Sequence, residues 1–479
     1  MFDVVLLGAG ITGSLIARNL SIYNLDVLVI EKENDVGNVT SMANSAIVHS
    51  GYDPLPGSNK AKFNVLGNKM FDELCENLDV HFERIGSLTV ALEEEQLKIL
   101  NELALRSKEN GVEVSLLSSE EVKQIEPNIS PNVKGALLAK SAGIVNPFTL
   151  VSHAMENALD NGIKLHLDEE VVDIVNKGDH FIIKTNKGEY ETKAVINACG
   201  IRADEIHKMI EPIDYSIKAR KGEYFVLDHY QKGFVNHVIF PLPSEKGKGI
   251  LITPTTSGNY LVGPSSEFIN DKDDLSTDKM TLNDVRRQAS MMIPNIPFNQ
   301  VIRIFSGNRP TPSNHDFTIG FAKSSNHFIN VSGIESPGLA SSPAIADYVT
   351  NNLVSQIFKL EKKEHYSLKT RKRIHPSELS LEERNELIKK DPNYGEIVCN
   401  CEKVTLGEIL DELSRSTKPH TIKALKKRTR AGFGKCQGGF CQPLVIKILS
   451  EYYHLPMKDI LLDKDGSNIL KYSTKDEAK

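Results

Sequence analysis

No stretch of this 479-residue chain reaches eighteen consecutive apolar residues, so no transmembrane helix is expected. Met1 runs straight into an apolar strand, which leaves no room for a signal peptide. Neither sign of charge dominates. Lys and Arg number 57 and Asp and Glu 63, a net charge of −6 that offers no general attraction to nucleic acid or an anionic membrane. No internal repeat is found. Nucleophile elbows and metal-hydrolase patterns are missing too, which argues against hydrolytic chemistry. A cytoplasmic protein is expected, peripheral at a membrane only through a partner. Apolar residues make up 40% and charged residues 25%, ordinary for a soluble globular chain long enough for two or three domains.

Cysteine is scarce and uneven. Of six, Cys75 and Cys199 sit alone in apolar surroundings and read as buried structural thiols. The other four crowd into IVCNCEKVT and GKCQGGFCQP as Cys399, Cys401, Cys436 and Cys441. Clustered thiols in a reducing compartment point to metal rather than disulfides. Four thiolates can hold a [2Fe–2S] cluster or a zinc ion. Glycines at 432, 434, 438 and 439 leave backbone N–H groups free to approach sulfur.

What is present is organised around MFDVVLLGAGITGSLIARNL. Phe2 to Leu7 is a short apolar run fit for a buried strand. Gly8, Gly10 and Gly13 follow as G-x-G-x-x-G, with Ile11 and Thr12 inside the motif and a helix from Ser14. Gly8 permits the tight turn, Gly10 lets a pyrophosphate approach the backbone, and Gly13 lets helix and strand pack closely. The helix N-terminus offers N–H groups to phosphate. A second apolar strand, Val27 to Ile30, ends in Glu31, placed to bind a ribose hydroxyl, followed by Lys32. Strand, glycines, helix, strand and acid arrive in order, so a dinucleotide site is expected. Small polar residues from Ser41 through Asn44 to Ser45 suit the lining of a phosphate or flavin pocket.

Residues 211 to 310 alternate as β patterns (EYFVLD, HVIFPL, GILITPT, NYLVG), which predicts an inserted antiparallel sheet. HFINVSGIESPGLASSPAIADYV then repeats strand, glycine turn and helix, with Gly333 and Gly338 at the turn and Pro337 near the helix start. Residues 358 to 396 are charge-dense and read as a solvated linker.

GAGITG with Glu31, the AVINACG strand end and INVSGIESPGLASSPAIADYV together resemble the superfamily of FAD-dependent glycine oxidases, D-amino-acid oxidases and glycerol-3-phosphate dehydrogenases, over about residues 1 to 360. The resemblance implies that the first segment holds the ADP half of FAD. It implies that Val171 and Val172 flank the adenine and that Ala198 to Gly200 run past the cofactor. Gly333, Ile334, Gly338 and Leu339 would lie beside the isoalloxazine, where a helix N-terminus would stabilise a reduced, anionic flavin. NSAIVHSGYDPLPGSNKAK resembles L-2-hydroxyglutarate oxidases and dehydrogenases. The C-terminal module is similar to that of the anaerobic glycerol-3-phosphate dehydrogenase large subunit and to bacterioferritin-associated-ferredoxin-like (BFD-like) [2Fe–2S] domains, which favours iron–sulfur over zinc.

The fold class implied is α/β and α+β: a discontinuous Rossmann-like FAD-binding domain, an inserted antiparallel-sheet substrate domain and a small helical iron–sulfur domain. The expected oxidoreductase spans 1–360, with FAD-binding segments at about 1–80, 145–210 and 305–360 and a substrate domain at about 81–144 and 211–304. A charged linker at 361–395, a [2Fe–2S] domain at 396–460 and a frayed lysine-rich tail at 461–479 follow. The expected chemistry removes hydride from a carbon bearing a hydroxyl while a base takes the hydroxyl proton. The resemblance puts His49 in the loop that approaches the flavin and Arg309 over it, so His49 is the candidate base and Arg309 the candidate anchor for a substrate phosphate or carboxylate. Tyr52, Lys221, Tyr224 and His315 read as structural rather than catalytic. The resulting expectation is an FAD-dependent sn-glycerol 3-phosphate dehydrogenase whose electrons leave through the cluster to a partner protein or quinone. The alternatives are an L-2-hydroxyglutarate dehydrogenase and a non-catalytic electron-transfer subunit.

Overall fold

The computed structural model describes residues 1–243 and 249–472. Residues 244–248 of the expected substrate domain and 473–479 of the expected tail lie outside the described residues. The chain forms two units. One comprises Met1–Lys32 and Val36–Leu368; the other comprises Glu33–Asp35 and the chain from Lys369 on.

The first unit is built on two sheets. In the first, Phe2–Leu7 lies parallel between Val27–Ile30 and Glu189–Asn197, pairing Val4 with Val27 and with Ala194. Both faces of these strands are covered from Val4 on, which is why they read as apolar runs, broken only by Asp3, rather than alternating ones. Ser325–Ser332 joins parallel to Glu189–Asn197, pairing Val195 with Phe328. The nucleotide-binding sheet is therefore assembled from three distant parts of the chain.

The second sheet has nine strands. Its neighbours are antiparallel except Val238–Pro241 and Ser87–Ala91, which pair in parallel. Val301–Pro312 runs antiparallel to the whole of Ile217–Leu227. That pairing moves a boundary. The chain stays in the second sheet through Pro312 and re-enters the first at Thr318–Ala322, not at about 305. The alternation of Val301–Pro312 fits an antiparallel partner, and the sheet extends along it.

Two further expectations are corrected. Residues 361–368 are not a bare linker. Glu361 accepts from the Asn24 backbone N–H, and Arg18 Nη2 donates to Leu368 O at 2.8 Å. From Lys369 the chain is part of the second unit, where Ser380 and Glu383 form a capping box on the helix Leu381–Lys390. Its charges solvate a folded helix. The expected tail is also packed at its start. Leu461 and Leu462 accept the N–H groups of Ile422 and Lys423, and Leu461 bridges to Asn468.

The long helix Asn59–Leu78 starts at Ser58, whose Oγ accepts from Ala61 N–H. It packs on the helix Gly338–Tyr348 through Gly67, where a Cβ would stand 2.1 Å from Ala340 O. We expect Gly67→Ala to force these helices apart at a cost of about 1–3 kcal/mol. The check is a lower Tm with FAD present. Among the described residues no helix is long and apolar enough to cross a membrane.

Candidate active site

The first strand ends at Gly8, whose φ of +97° suits glycine. A Cβ there would come within 2.6 Å of Ala198 O, and one at Gly13 within 2.0 Å of Gly8 O. The crossing of strand, loop and helix therefore excludes side chains at both positions. Glu31 Oε2 accepts from Ala9 N–H at 2.7 Å, which bonds the carboxylate to the loop's second residue. Ile11 N–H, in the first turn of the helix, donates to Ser41 Oγ at 2.9 Å. The donor is therefore directed at the point where an anion would lie.

One cleft, open to solvent, joins these parts. Gly10, Ile11, Thr12, Ser41, Asn44, Ser45, Ala198, Gly200, Ile334, Gly338 and Leu339 line it, and so do His49 and Arg309. Gly8, Gly13, Glu31, Lys32, Val172 and Gly333 do not. Gly8, Gly13 and Gly333 shape turns instead; a Cβ at Gly333 would meet Pro312 at 2.8 Å. Lys32 pairs with Glu170 at 3.1 Å on the surface. Val172 lies at a bulge in an edge strand and is 55% exposed. The residues present fit FAD: glycine backbone, a helix N-terminus and a hydroxyl converge at one end of the cleft.

The loop Thr40–Ala46 forms one wall. Thr40 Oγ1 donates to Asn308 O, Asn44 Oδ1 accepts from Ala46 N–H, and Ser45 Oγ meets Tyr224 Oη at 3.1 Å. Gly307 lets this loop approach, since a Cβ there would stand 2.2 Å from Ala43 O. The His49 ring faces Phe240 across 5.7 Å. Its backbone carbonyl is held by Asn64 and Asn68 side-chain amides at 2.7 and 3.0 Å.

Arg309 donates through Nε to Arg220 O and through Nη2 to Lys221 O and Ser265 O. Those bonds fix the guanidinium plane without using Nη1. Burial pulls its pKa down to about 10, so the charge persists at neutral pH. Sequence reasoning missed Arg220, Glu335 and Lys60. Arg220 lies opposite Arg309 in the sheet register and lines the same cleft. Its Nη2 reaches Glu335 Oε2 at 2.6 Å, while its buried Nε has no hydrogen-bond partner. Lys60 Nζ and Thr311 Oγ1 also donate to Glu335, each at 2.8 Å. Burial raises the Glu335 pKa, but Lys60 and Arg220 outweigh it and hold the carboxyl below its usual range. The cluster counts three cations against one carboxylate.

The signal for Arg220 was strand parity. Tyr224, Gly222 and Arg220 share a face by period two. Lys221, one residue on, points to the other face and pairs with Asp274 at 2.9 Å. Tyr52 is buried against Thr89, and His315 is exposed in a turn.

The four clustered cysteines lie in the second unit. The strand Ile397–Cys399 pairs with Val404–Thr405, and Cys401 occupies the turn between them. Cys401 Sγ lies 3.7 Å from Cys436 Sγ. Two thiolates on one tetrahedral metal with bonds of about 2.3 Å stand at about that separation. Cys399 is pulled down to about 5, chiefly by the Cys441 thiol donating to it, with the backbone N–H groups of Gly432, Glu402 and Cys401 adding to the effect. The cysteines thus form two pairs: Cys399 with Cys441, both buried, and Cys401 with Cys436, open to solvent. Two thiolate pairs suit a two-iron cluster. A Cβ at Gly434 would lie 2.3 Å from Cys401 Cβ, so glycine is needed there.

Residues 3–352 match the family of FAD dependent oxidoreductases, and residues 397–451 match the BFD-like [2Fe-2S] binding domain. A glycerol 3-phosphate dehydrogenase of Caloramator mitchellensis is 47% identical, with 100% of both chains covered. A glycerol 3-phosphate oxidase of Mycoplasma genitalium is 33% identical over 72% of this chain and 92% of its own. The dithionite-reduced L-alpha-glycerophosphate oxidase of Mycoplasma pneumoniae, solved with FAD bound, superposes with a TM-score of 0.74 at 28% identity. It covers 77% of this chain and 98% of that one. An L-2-hydroxyglutarate dehydrogenase of Escherichia coli O17:K52:H18 is 31% identical over 56% of this chain and 64% of its own. The chain belongs to the FAD-dependent oxidoreductase family. It is a flavoenzyme with a C-terminal iron–sulfur domain, and its cofactors are FAD and a [2Fe–2S] cluster.

Proposed function

We propose that the enzyme oxidises sn-glycerol 3-phosphate to dihydroxyacetone phosphate and passes the electrons through its cluster to a partner protein or quinone. The observation that carries the substrate assignment is the cationic excess at the cleft: Arg309 and Arg220 line it with a single carboxylate, Glu335, which Lys60 also neutralises from behind the lining. A dianionic phosphate needs such an excess, and paired guanidiniums match its oxygen geometry. The relatives named for glycerol 3-phosphate support the same reading.

Arg309 and Arg220 bind the phosphate and fix where the substrate's carbinol carbon lies. His49 takes the hydroxyl proton as that carbon gives up hydride. Bound FAD supplies the two-electron acceptor. The Phe240 ring beside His49 limits water there. The enzyme acts in the cytoplasm in this reading and meets a membrane only through its electron acceptor.

Relatives named for L-2-hydroxyglutarate favour a second reading, in which carboxylates would use the same guanidiniums. Anaerobic mixing separates the two. Glycerol 3-phosphate should bleach the flavin within one turnover and L-2-hydroxyglutarate should not. Bleaching by L-2-hydroxyglutarate alone would replace the substrate. Bleaching by neither would move the chain to an electron-transfer subunit.

Arg309→Ala removes a charge-assisted contact of about 1.5–3 kcal/mol, so KM for glycerol 3-phosphate should rise roughly 10- to 100-fold. Arg309→Lys should recover part of the loss. Unchanged steady-state kinetics in Arg309→Ala would remove Arg309 from the site.

A further inference from the structure

Above the open cysteine pair lies a surface that the substrate site does not use. Phe440, between cluster ligands Cys436 and Cys441, is 83% exposed. Leu444, at the start of the helix Gln442–Tyr453, is 46% exposed. Gly439 and Pro443 are exposed beside them, and so is Cys401. Burying large apolar side chains is the ordinary rule, and an aromatic left in water beside a redox centre marks a contact surface.

The exposed charges nearest the cysteines share one sign. Between Cys399 and Cys441 the exposed charged residues are Lys403, Lys418 and Lys435. The acids in that span are withdrawn. Glu402 pairs with Arg430, Glu412 is buried against Arg373 and Arg415, and Asp411 pairs with Arg371 and Arg415. Lys403 follows the Cys401 turn and Lys435 immediately precedes Cys436. Lys447 lies on the exposed face of the helix that carries Leu444, with Glu451 at 3.7 Å.

We propose that Phe440 and Leu444, with Lys403 and Lys435 flanking the open cysteine pair, form the docking surface for a small acidic protein that carries one electron at a time. The inference rests on the reading that electrons leave through the cluster, and it specifies the acceptor. The arrangement is an apolar centre with flanking charges of a single sign, the form of a transient protein interface. It surrounds the cluster's solvent-facing ligands, so a docked carrier sits as near the iron as the fold allows. An anionic membrane would also attract lysines. Two apolar side chains give little insertion, and a membrane does not itself accept an electron. Each encounter moves one electron from reduced cluster to oxidised carrier. No bond to a thiolate forms or breaks, and two carriers are reduced per substrate oxidised.

The test uses the full-length holoprotein, with the cluster reduced by dithionite and the excess reductant removed. Reoxidation is followed on mixing with an acidic flavodoxin, and with basic cytochrome c as the control. The second-order rate with flavodoxin should fall steeply as salt rises. Charge reversal of Lys403 and Lys435 to Glu should lower it about 10- to 1000-fold at low salt and turn the fall with salt into a rise. Phe440→Ala should weaken flavodoxin binding, measured by titration calorimetry, by about tenfold. Substrate bleaching of the flavin should be unchanged in both variants. Unchanged flavodoxin rates and binding would overturn the proposal. So would loss of sedimentation with phosphatidylserine vesicles in these variants while the flavodoxin rate holds. Because dithionite loads the cluster directly, the surface is tested even if substrate fails to reduce the cluster. That failure would instead overturn the electron route.

Discussion

Cys436→Ser is expected to purify with its flavin in place and its iron gone. The Cys401 and Cys436 sulfurs stand 3.7 Å apart, so removing one leaves the other without the partner that completes an iron's coordination. The serine hydroxyl is a harder, less acidic donor and does not replace a thiolate. Flavin should survive because the two units have separate apolar cores. Val4, Leu6 and Ile196 belong to the first, and Val398, Leu425 and Leu449 to the second. Cys436 is the better choice than Cys441, whose side chain is also part of the second core. Iron per protein should fall to background while the flavin absorbance and its bleaching by substrate persist. Transfer to one-electron acceptors should be lost. Cys75→Ser, in the other unit, should keep its iron. Iron retained in Cys436→Ser would show that the ligand set is wrong.

His49→Asn should slow flavin reduction by about 10²- to 10⁴-fold, the usual worth of a positioned base. Substrate affinity, read from the concentration dependence of bleaching, should change little because Arg309 and Arg220 hold the phosphate. The pH dependence gives the sign. A protonated imidazole cannot accept the hydroxyl proton, so the wild-type rate falls on the acid side, whereas the variant should be flat there. The outcome against this role is an unchanged rate. His49 would then serve only through its backbone carbonyl, which Asn64 and Asn68 hold whatever the side chain.

The parts of the site that were legible in the sequence are those written in contiguous residues. The glycine turn needs its glycines because backbone passes within contact distance at Gly8 and Gly13. The four cysteines are a pattern that few structural roles produce. Arg309 was found by resemblance. Arg220 and Glu335 were not found, because their placement depends on a pairing across about ninety residues and on which face of a strand each side chain takes. Lys221 shows the cost of a one-residue parity error: its ammonium faces Asp274, away from the cleft. The boundary near 305 was missed for a related reason, since alternation marks a strand without naming its sheet. The segment 361–395 was misread because charge density describes a surface, and a capped helix has a surface too.

The order in which the nucleotide sheet is threaded constrains how the chain is made. Phe2–Leu7 leaves the ribosome first and finds Val27–Ile30 at once, yet its other neighbour, Glu189–Asn197, is about 190 residues away. At about 5–20 residues per second, roughly ten to forty seconds separate the two. Along the far edge of that neighbour Glu189–Thr192 pairs at once with Phe181–Lys184, while Val195–Asn197 waits for Ser325–Ser332. The nascent chain therefore carries an unpaired, mostly apolar strand edge until Glu189–Asn197 arrives, a template for mispairing with other chains. The turn from Gly333 to Gly338 is translated later still, so the cleft's last wall arrives with it. Products that stop before it should be lost to aggregation or proteolysis.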